Sequence, residues 1–233
     1  MEAGSKLRRV RRGARRTVAA IALAVTSVAV LASAAHAAPP AGARAVVAPY
    51  DFAHSTVPPT AAQVKAGIDD VLRRTPGARQ VGPTTIDMGG GFIVELPKPA
   101  GTVQPLYTCS SGYMCVWVDR QYTGTYAYFQ VCGHEWDLGH SAFPGGGYWN
   151  DRISSITNPQ TGSNATGYFY NYNTNGTWSK LLTVPINTHR SNLALDSSED
   201  GSGSPNDRID GVHVCGAVPS PWKPNYSSPL PPS

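Results

Sequence analysis

The stretch YWNDRISSITN, residues 148–158, brings together oxygen-bearing side chains of the kinds that bind cations. These are one amide, one carboxylate and two hydroxyls: Asn150, Asp151, Ser154 and Ser155. Calcium takes six to eight such oxygens in flexible geometry. The same opening recurs as NDRIDGV, residues 206–212. Because Asn-Asp also makes ordinary turns, and Ser can bond to the main chain, the stretch is either a turn that leads into a strand or a ligand site.

A second group of metal-type side chains lies in CGHEWDLGH. Its members are His134, Glu135, Asp137 and His140. The helix of zinc proteases needs His-Glu-x-x-His, which places two histidines one turn apart. Here the second histidine follows the first by six residues, and glycines flank the segment. We interpret it as a solvated loop or hairpin rather than a zinc helix.

The loop FPGGGYW, residues 143–149, sets two aromatic residues beside flexible glycines. Exposed aromatics on a loop make a binding surface. The alternative is that Tyr148 and Trp149 pack beneath the fold.

Catalytic motifs are lacking in the sequence. There is no Gly-x-Ser-x-Gly, and no histidine and aspartate are ordered around a nucleophile. A glycosidase would need two placed carboxylates, which sequence cannot pair. We therefore predict that the protein is not an enzyme.

Short strands dominate from Leu106 to Cys215. The run YMCVWV is apolar on both alternating faces, which indicates a strand covered on both sides. YAYFQVC and GYFYNYN are similar, and turn clusters separate these runs. This pattern predicts an all-β sandwich or barrel.

The strand-rich segment also contains an internal repeat. Gly112 and Gly167 each precede a tyrosine that opens a strand, and Asn150 and Asn206 each open Asn-Asp-Arg-Ile. The two offsets are 55 and 56 residues. A four-strand Greek key fits in one such unit, and two units can pack as paired sheets over one core.

Three features of the repeat resemble known proteins. WVDRQYTG is similar to the aromatic-x4-aromatic-x-Gly signature of βγ-crystallin Greek keys, and NDRISS matches the crystallin Asn/Asp-Asn/Asp-x-x-Ser/Thr-Ser clamp. CSSGYMCVW, the hairpin, Cys132 and NDRISSITN together resemble the streptomycete metalloproteinase-inhibitor family, small secreted proteins with a βγ-crystallin-like fold. The resemblance is closer in the first repeat (about 109–158) than in the second (about 166–215).

The resemblance implies two calcium clamps, to which the repeats contribute reciprocally. The first would use Asn150, Asp151, Ser154 and Ser155, and the second Asn206, Asp207 and Asp210. In the second, Asp210 takes the place of Ser154 and Gly211 replaces Ser155, which breaks the pattern. Calcium is thus a candidate cofactor, and none is required.

The resemblance also implies a function, inhibition of a secreted peptidase, with a metallopeptidase as the expected partner. A rigid, disulfide-pinned loop would occlude the active site and lose little entropy on binding. The candidate target-binding side chains are His134, Glu135, Asp137, His140, Tyr148 and Trp149, of which the first four could reach a target's catalytic metal. Two alternatives stay open: a calcium-binding or structural extracellular crystallin-like module, and a cell-wall or carbohydrate-binding protein.

Four cysteines predict two disulfides in an exported protein. Of the three pairings we favour Cys132 with Cys215, while Cys109 and Cys115 could close a small loop. The spacing of the latter two does not suit zinc.

The first 37 residues read as a secretory signal peptide: a basic start, an apolar run and the cleavage pattern Ala35-His36-Ala37. Without them the chain has 12 basic and 14 acidic residues, a net charge of −2. This charge offers no evidence for a nucleic-acid or membrane partner. We expect a secreted, extracellular monomer.

Residues 38–105 form a predicted linker and pro-like segment, with a helix at about 59–75 and a short hairpin. It is either a removed pro-region or a retained subdomain. The predicted crystallin-like domain spans 106–217. The Pro-rich tail, 218–233, is predicted to be unstructured.

Overall fold

The structure, a computed structural model, describes residues 47–102, 108–130, 132–162 and 164–218, with Trp222 and Pro224. The described residues belong to one compact unit, Ala45–Ser233. The predicted signal peptide and most of the predicted tail lie outside them.

Strands make up most of the regular structure. In chain order, those of the described residues are β1 (Arg79–Gln80), β2 (Thr85–Asp87), β3 (Phe92–Glu95), β4 (Met114–Trp117), β5 (Tyr126–Phe129), β6 (His134–Asp137), β7 (Ser155–Asn158), β8 (Gly167–Tyr172), β9 (Trp178–Val184), β10 (Thr188–Arg190) and β11 (Gly211–Val214). They form two antiparallel sheets. The larger, sheet A, has the order β1-β2-β3-β5-β4-β7-β10, and the smaller, sheet B, has the order β6-β11-β8-β9. The predicted all-β class is confirmed at this level.

The two halves of the repeat exchange a strand. The first half comprises β4 to β7 and the second β8 to β11. Strand β6 leaves the first half to pair with β11 in sheet B, and β10 leaves the second half to pair with β7 in sheet A. Neither sheet is therefore complete without the other half.

The α-helix α1, Ala61–Arg74, begins at a capping box. The Gln63 N–H donates to the Thr60 hydroxyl at 3.2 Å, and the Thr60 N–H donates to the Gln63 side chain at 2.9 Å, so two otherwise unpaired donors are satisfied. Val64, Ile68 and Val71 form its buried face. No helix among the described residues is long and apolar enough to cross a membrane.

The segment before residue 105 is built into sheet A. Strand β3 pairs with β5 along its whole length, with Phe92 opposite Phe129. The Phe92 ring stacks on Phe129 at 5.0 Å between centroids and meets Trp149 edge-on at 5.8 Å. All three side chains are fully buried. Residues on both sides of position 105 thus share one hydrophobic core.

Both disulfides lie at one end of the sandwich. Cys109 is bonded to Cys115 and Cys132 to Cys215, so the favoured pairing is confirmed. Cys109 precedes the start of β4, Cys132 lies between β5 and β6, and Cys215 follows β11. Because strand directions alternate, these points share one end, here called the disulfide end. The two Asn-Asp turns precede β7 and β11 at the opposite end, the turn end.

Replacing Phe92 by alanine should destabilise the whole protein by about 3–5 kcal/mol, because a large ring would leave a cavity among Phe129 and Trp149. The free energy of unfolding in denaturant measures this. Val57→Ala, at a side chain that is 69% exposed in the same segment, should change it by less than about 0.5 kcal/mol. Equal, small effects would mean that the segment adds nothing to the core.

Candidate functional site

The two Asn-Asp turns face each other and exchange main-chain hydrogen bonds. The Asp151 N–H donates to the Ile209 carbonyl at 3.1 Å, and the Asp207 N–H donates to the Ile153 carbonyl at 3.3 Å. Both aspartates adopt a left-handed backbone, with φ of 56° and 51°. Aspartate tolerates this conformation better than most residues, which explains its recurrence at the second position of both turns.

The arginines of the two turns have matching roles. Arg152 donates to the carbonyls of Tyr148 (2.6 Å) and Gly146 (3.3 Å). Arg208 likewise donates to the carbonyls of Ser204 (3.2 Å) and Ser202 (3.4 Å). Each guanidinium ties the loop before its turn to the turn itself.

Each turn also connects to a short 3₁₀ helix from the loops of the other half. The Leu138 N–H donates to the Asp210 carbonyl at 2.8 Å, and the Leu193 N–H donates to the Ser154 carbonyl at 3.0 Å. The carboxylate of Asp137 and the amide of Asn192 cap these two 3₁₀ helices. These contacts support the first alternative from the sequence, a turn that leads into a strand.

The fifth position of the motif breaks the symmetry. The Ser154 hydroxyl donates to the Asp207 carboxylate at 3.1 Å, across from one half to the other. Asp210 occupies the equivalent place in the second turn and adds a carboxylate near that of Asp151. Burial raises the pKa of Asp210 to about 6, and the charge of Asp151 adds to the increase. Burial raises the pKa of Asp151 as well.

A cavity of about 430 Å³ lies beside the first turn. Its polar lining comprises Asp137, His140, Asn150, Asp151, Asn171 and Asp210. The side-chain oxygen of Asn206, in the second turn, is buried and has no hydrogen-bond partner among the described residues. Asn206 is not one of the residues that line this cavity, but an amide oxygen is a group that calcium binds. However, no three His, Cys, Asp or Glu side chains of the described part are grouped as a metal site. Any cation held here by described residues would thus have at most two carboxylates and would need amide, hydroxyl and main-chain oxygens as well.

Ser155, the last clamp residue of the first repeat, has structural partners. Its hydroxyl donates to the Asp119 carbonyl at 2.7 Å and accepts the Tyr122 N–H at 3.2 Å. The Asp119 carboxylate in turn lies 3.3 Å from the His54 ring, which belongs to the N-terminal segment. No sequence motif marks His54 or Asp119 as neighbours of the turns, because they come from distant loops.

The metal-type side chains of CGHEWDLGH do not converge. His134 packs edge-on against Trp136, and burial lowers its pKa. Glu135 points to the opposite face of β6, 3.4 Å from His213. Asp137 caps a 3₁₀ helix and lies 3.0 Å from His140. The segment is a strand followed by a 3₁₀ helix, so strand alternation separates its side chains.

The two aromatics of FPGGGYW also separate. Trp149 has no exposed surface and contacts Phe92 and Phe143, so it offers nothing to a partner. Tyr148 is 46% exposed. Of the candidate target-binding side chains, Tyr148 and His140 are the most exposed.

The disulfide end carries an exposed loop that is closed by a disulfide. Ser110, Ser111 and Gly112 are exposed between Cys109 and Cys115. The Tyr113 N–H donates to the Ser110 carbonyl at 3.0 Å and closes a turn. Cys115 lies in β4, which pairs with β5 on one side and β7 on the other. The loop is therefore fastened to the middle of sheet A.

These features define a disulfide-bonded, two-sheet β protein with a rigid loop at one end and paired acidic turns at the other. Residues 104–181 match the model of peptidase inhibitor family I36. The match confirms the resemblance to the streptomycete metalloproteinase-inhibitor family over that segment, and with it the prediction that the protein is not an enzyme. No curated protein and no solved structure matches the chain. The family match implies a peptidase partner, and together with two disulfides it favours an extracellular location.

Asp210→Asn should stabilise the protein at pH 7 by up to about 3 kcal/mol, since it removes a carboxylate whose pKa is raised from about 4 in the unfolded chain to about 6 in the fold. The folded state binds this proton more tightly, so wild-type stability falls as pH rises from about 4 to 6. Denaturant unfolding between pH 4 and 7, with chelator, measures both effects. The exposed control Asp69→Asn should follow the wild-type profile. Parallel curves for wild type and Asp210→Asn would contradict the assignment.

Proposed function

We propose that the protein inhibits metallopeptidases and that the loop Thr108–Tyr113 occludes the active site of its target. The family match supports an inhibitor, and the geometry of this loop supports the mechanism. The loop is exposed, closed by a disulfide and anchored in a central strand. A pre-organised loop loses little conformational entropy on binding, so more of the contact energy remains as affinity.

We also propose that the two halves are crystallin-like Greek keys. Each half has four strands, of which three lie in one sheet and one lies in the other. The strand that crosses is the third of its half, β6 in the first and β10 in the second. The reciprocal bonds between the Asn-Asp turns support the same assignment. Fold alone does not imply function, so this assignment is independent of inhibition.

Ser111→Arg should raise the inhibition constant against a thermolysin-type metallopeptidase at least tenfold, because a long charged side chain would obstruct the loop from entering the active site. Thr174→Arg, an equal change at an exposed position of the turn end, should leave the constant unchanged. A subtilisin-type serine peptidase, assayed in parallel, tests the target class.

Each alternative outcome has a definite reading. If Thr174→Arg weakens inhibition and Ser111→Arg does not, the surface that contacts the peptidase lies at the turn end. Inhibition of the serine peptidase alone would refute the proposed target class. Absence of inhibition of any peptidase in a broad panel would favour a structural module instead.

Calcium binding at the paired turns is the second candidate function. The unpaired Asn206 oxygen and the raised pKa values of Asp151 and Asp210 favour it, because a cation would bind the first and would compensate the burial of the two carboxylates and their proximity to other acidic groups. Asn150, Asp151, Asn206 and Asp207 are the residues that would hold calcium. A bound cation would supply a link between the two halves.

Millimolar calcium should raise the melting temperature, by an amount that corresponds to about 2.7 kcal/mol when calcium is at one hundred times its dissociation constant. Asp151→Asn combined with Asp207→Asn should abolish the rise, since it removes two carboxylate ligands. Magnesium, which prefers strict octahedral geometry, serves as the control cation. An unchanged melting temperature in calcium would exclude the site.

A further inference from the structure

The outer face of sheet B contains a slot that holds one aromatic ring. Tyr170 of β8 and Gly211 of β11 lie opposite each other in register, and Trp178 opens β9 beside them. The indole of Trp222 lies between them, parallel to Tyr170 with centroids 4.0 Å apart. It meets Trp178 edge-on at 4.7 Å. The Trp222 side chain is only 6% exposed, although it belongs to the tail that the sequence predicts to be unstructured.

Gly211 is the residue that makes room for this ring. A Cβ at position 211 would lie 2.4 Å from the Trp222 indole and 2.8 Å from the Trp178 indole, closer than real contacts allow. Gly211 has no positive φ, so its backbone does not require glycine. The first repeat has Ser155 at the equivalent position. The loss of serine in the second repeat therefore has a spatial reason.

Among the residues that the structure describes, stacking and no hydrogen bond holds the Trp222 ring. The indole N–H of Trp222 and the hydroxyl of Tyr170 are both buried without a hydrogen-bond partner among the described residues. One parallel and one edge-on contact with neighbouring rings bury most of the apolar surface of an aromatic side chain. The slot thus suits an apolar ring, whether indole or phenyl.

A second position on this face of β11 is also buried. His213 lies on the same side of β11 as Gly211, yet its side chain is only 1% exposed. Pro224, two residues beyond Trp222, is buried. In sequence, prolines at positions 219, 221 and 224 restrict the free tail, so less entropy is lost when it docks.

We propose that Tyr170, Trp178 and Gly211 form a binding site for one aromatic side chain, and that the chain's own Trp222 is its ligand. Trp222 then attaches its position in the chain to sheet B through one ring. The site does not depend on inhibition, because it lies on the outer face of sheet B and the proposed contact loop emerges from β4 of sheet A.

Trans-binding of a tail peptide tests the site. The full-length Trp222→Ala variant leaves the slot empty while it keeps the rest of the chain. A fluorescently labelled peptide of residues 218–227 should bind it saturably and should bind wild type at least tenfold more weakly. The double variant Trp222→Ala/Gly211→Val should not bind.

A peptide with Phe in place of Trp222 should retain binding, and one with Ala should not. Equal binding to wild type, or to the double variant, would overturn the proposal, as would no binding to a folded Trp222→Ala variant.

A second measurement avoids reliance on the Trp222→Ala fold. Wild-type protein labelled with 5-fluorotryptophan has one fluorine resonance for Trp222, which the variant Trp222→Phe assigns by its absence. In Gly211→Val this resonance should move to the position of a solvent-exposed tryptophan, while those of Trp117 and Trp149 stay in place. An unmoved Trp222 resonance would refute the role of Gly211.

Discussion

The structure depends most on the exchange of one strand between the two halves of the sandwich. Because β6 pairs in sheet B and β10 in sheet A, neither half can form its hydrogen bonds alone. The two Asn-Asp turns meet where the exchanged chains cross back, and each donates an N–H to the other. The hydrogen bonds of Arg152 and Arg208, and the two short 3₁₀ helices, stabilise the chain on either side of this contact between the turns. The Asn-Asp motif, which the sequence presents as a local turn, therefore connects the two halves of the fold.

The hydrophobic core extends this dependence to the N-terminal segment. Strand β3 covers the outer edge of β5, and α1 contributes three buried side chains. An unpaired edge strand exposes main-chain donors and acceptors, so β3 also protects sheet A. The residue pattern of the segment predicts its helix and its hairpin. The pattern does not predict that the segment pairs with β5, because pairing between distant strands leaves no local pattern.

Two substitutions in the second repeat change the chemistry in different ways. Asp210, where the first repeat has Ser154, replaces a hydroxyl that donates to Asp207 by a carboxylate that accepts the Tyr172 N–H at 2.7 Å. Gly211, where the first repeat has Ser155, replaces a hydroxyl by open space for an indole. Sequence comparison treats both as decay of one motif. In the structure, the first substitution places a buried carboxylate with a raised pKa near Asp151, and the second opens a slot for an aromatic ring.

The sequence by itself determined the all-β class, the repeat and the resemblance to an inhibitor family, because strand alternation, turn residues and motif spacing are local patterns. It left three disulfide pairings open, and the structure shows Cys109–Cys115 and Cys132–Cys215. Only the tertiary structure decided that Trp149 is core while Tyr148 is exposed, that β6 separates the side chains of CGHEWDLGH, and that Trp222 is buried. Each of these depends on what packs against a residue from elsewhere in the chain. That neighbour is set by the long-range pairing of strands, which no single stretch of sequence contains.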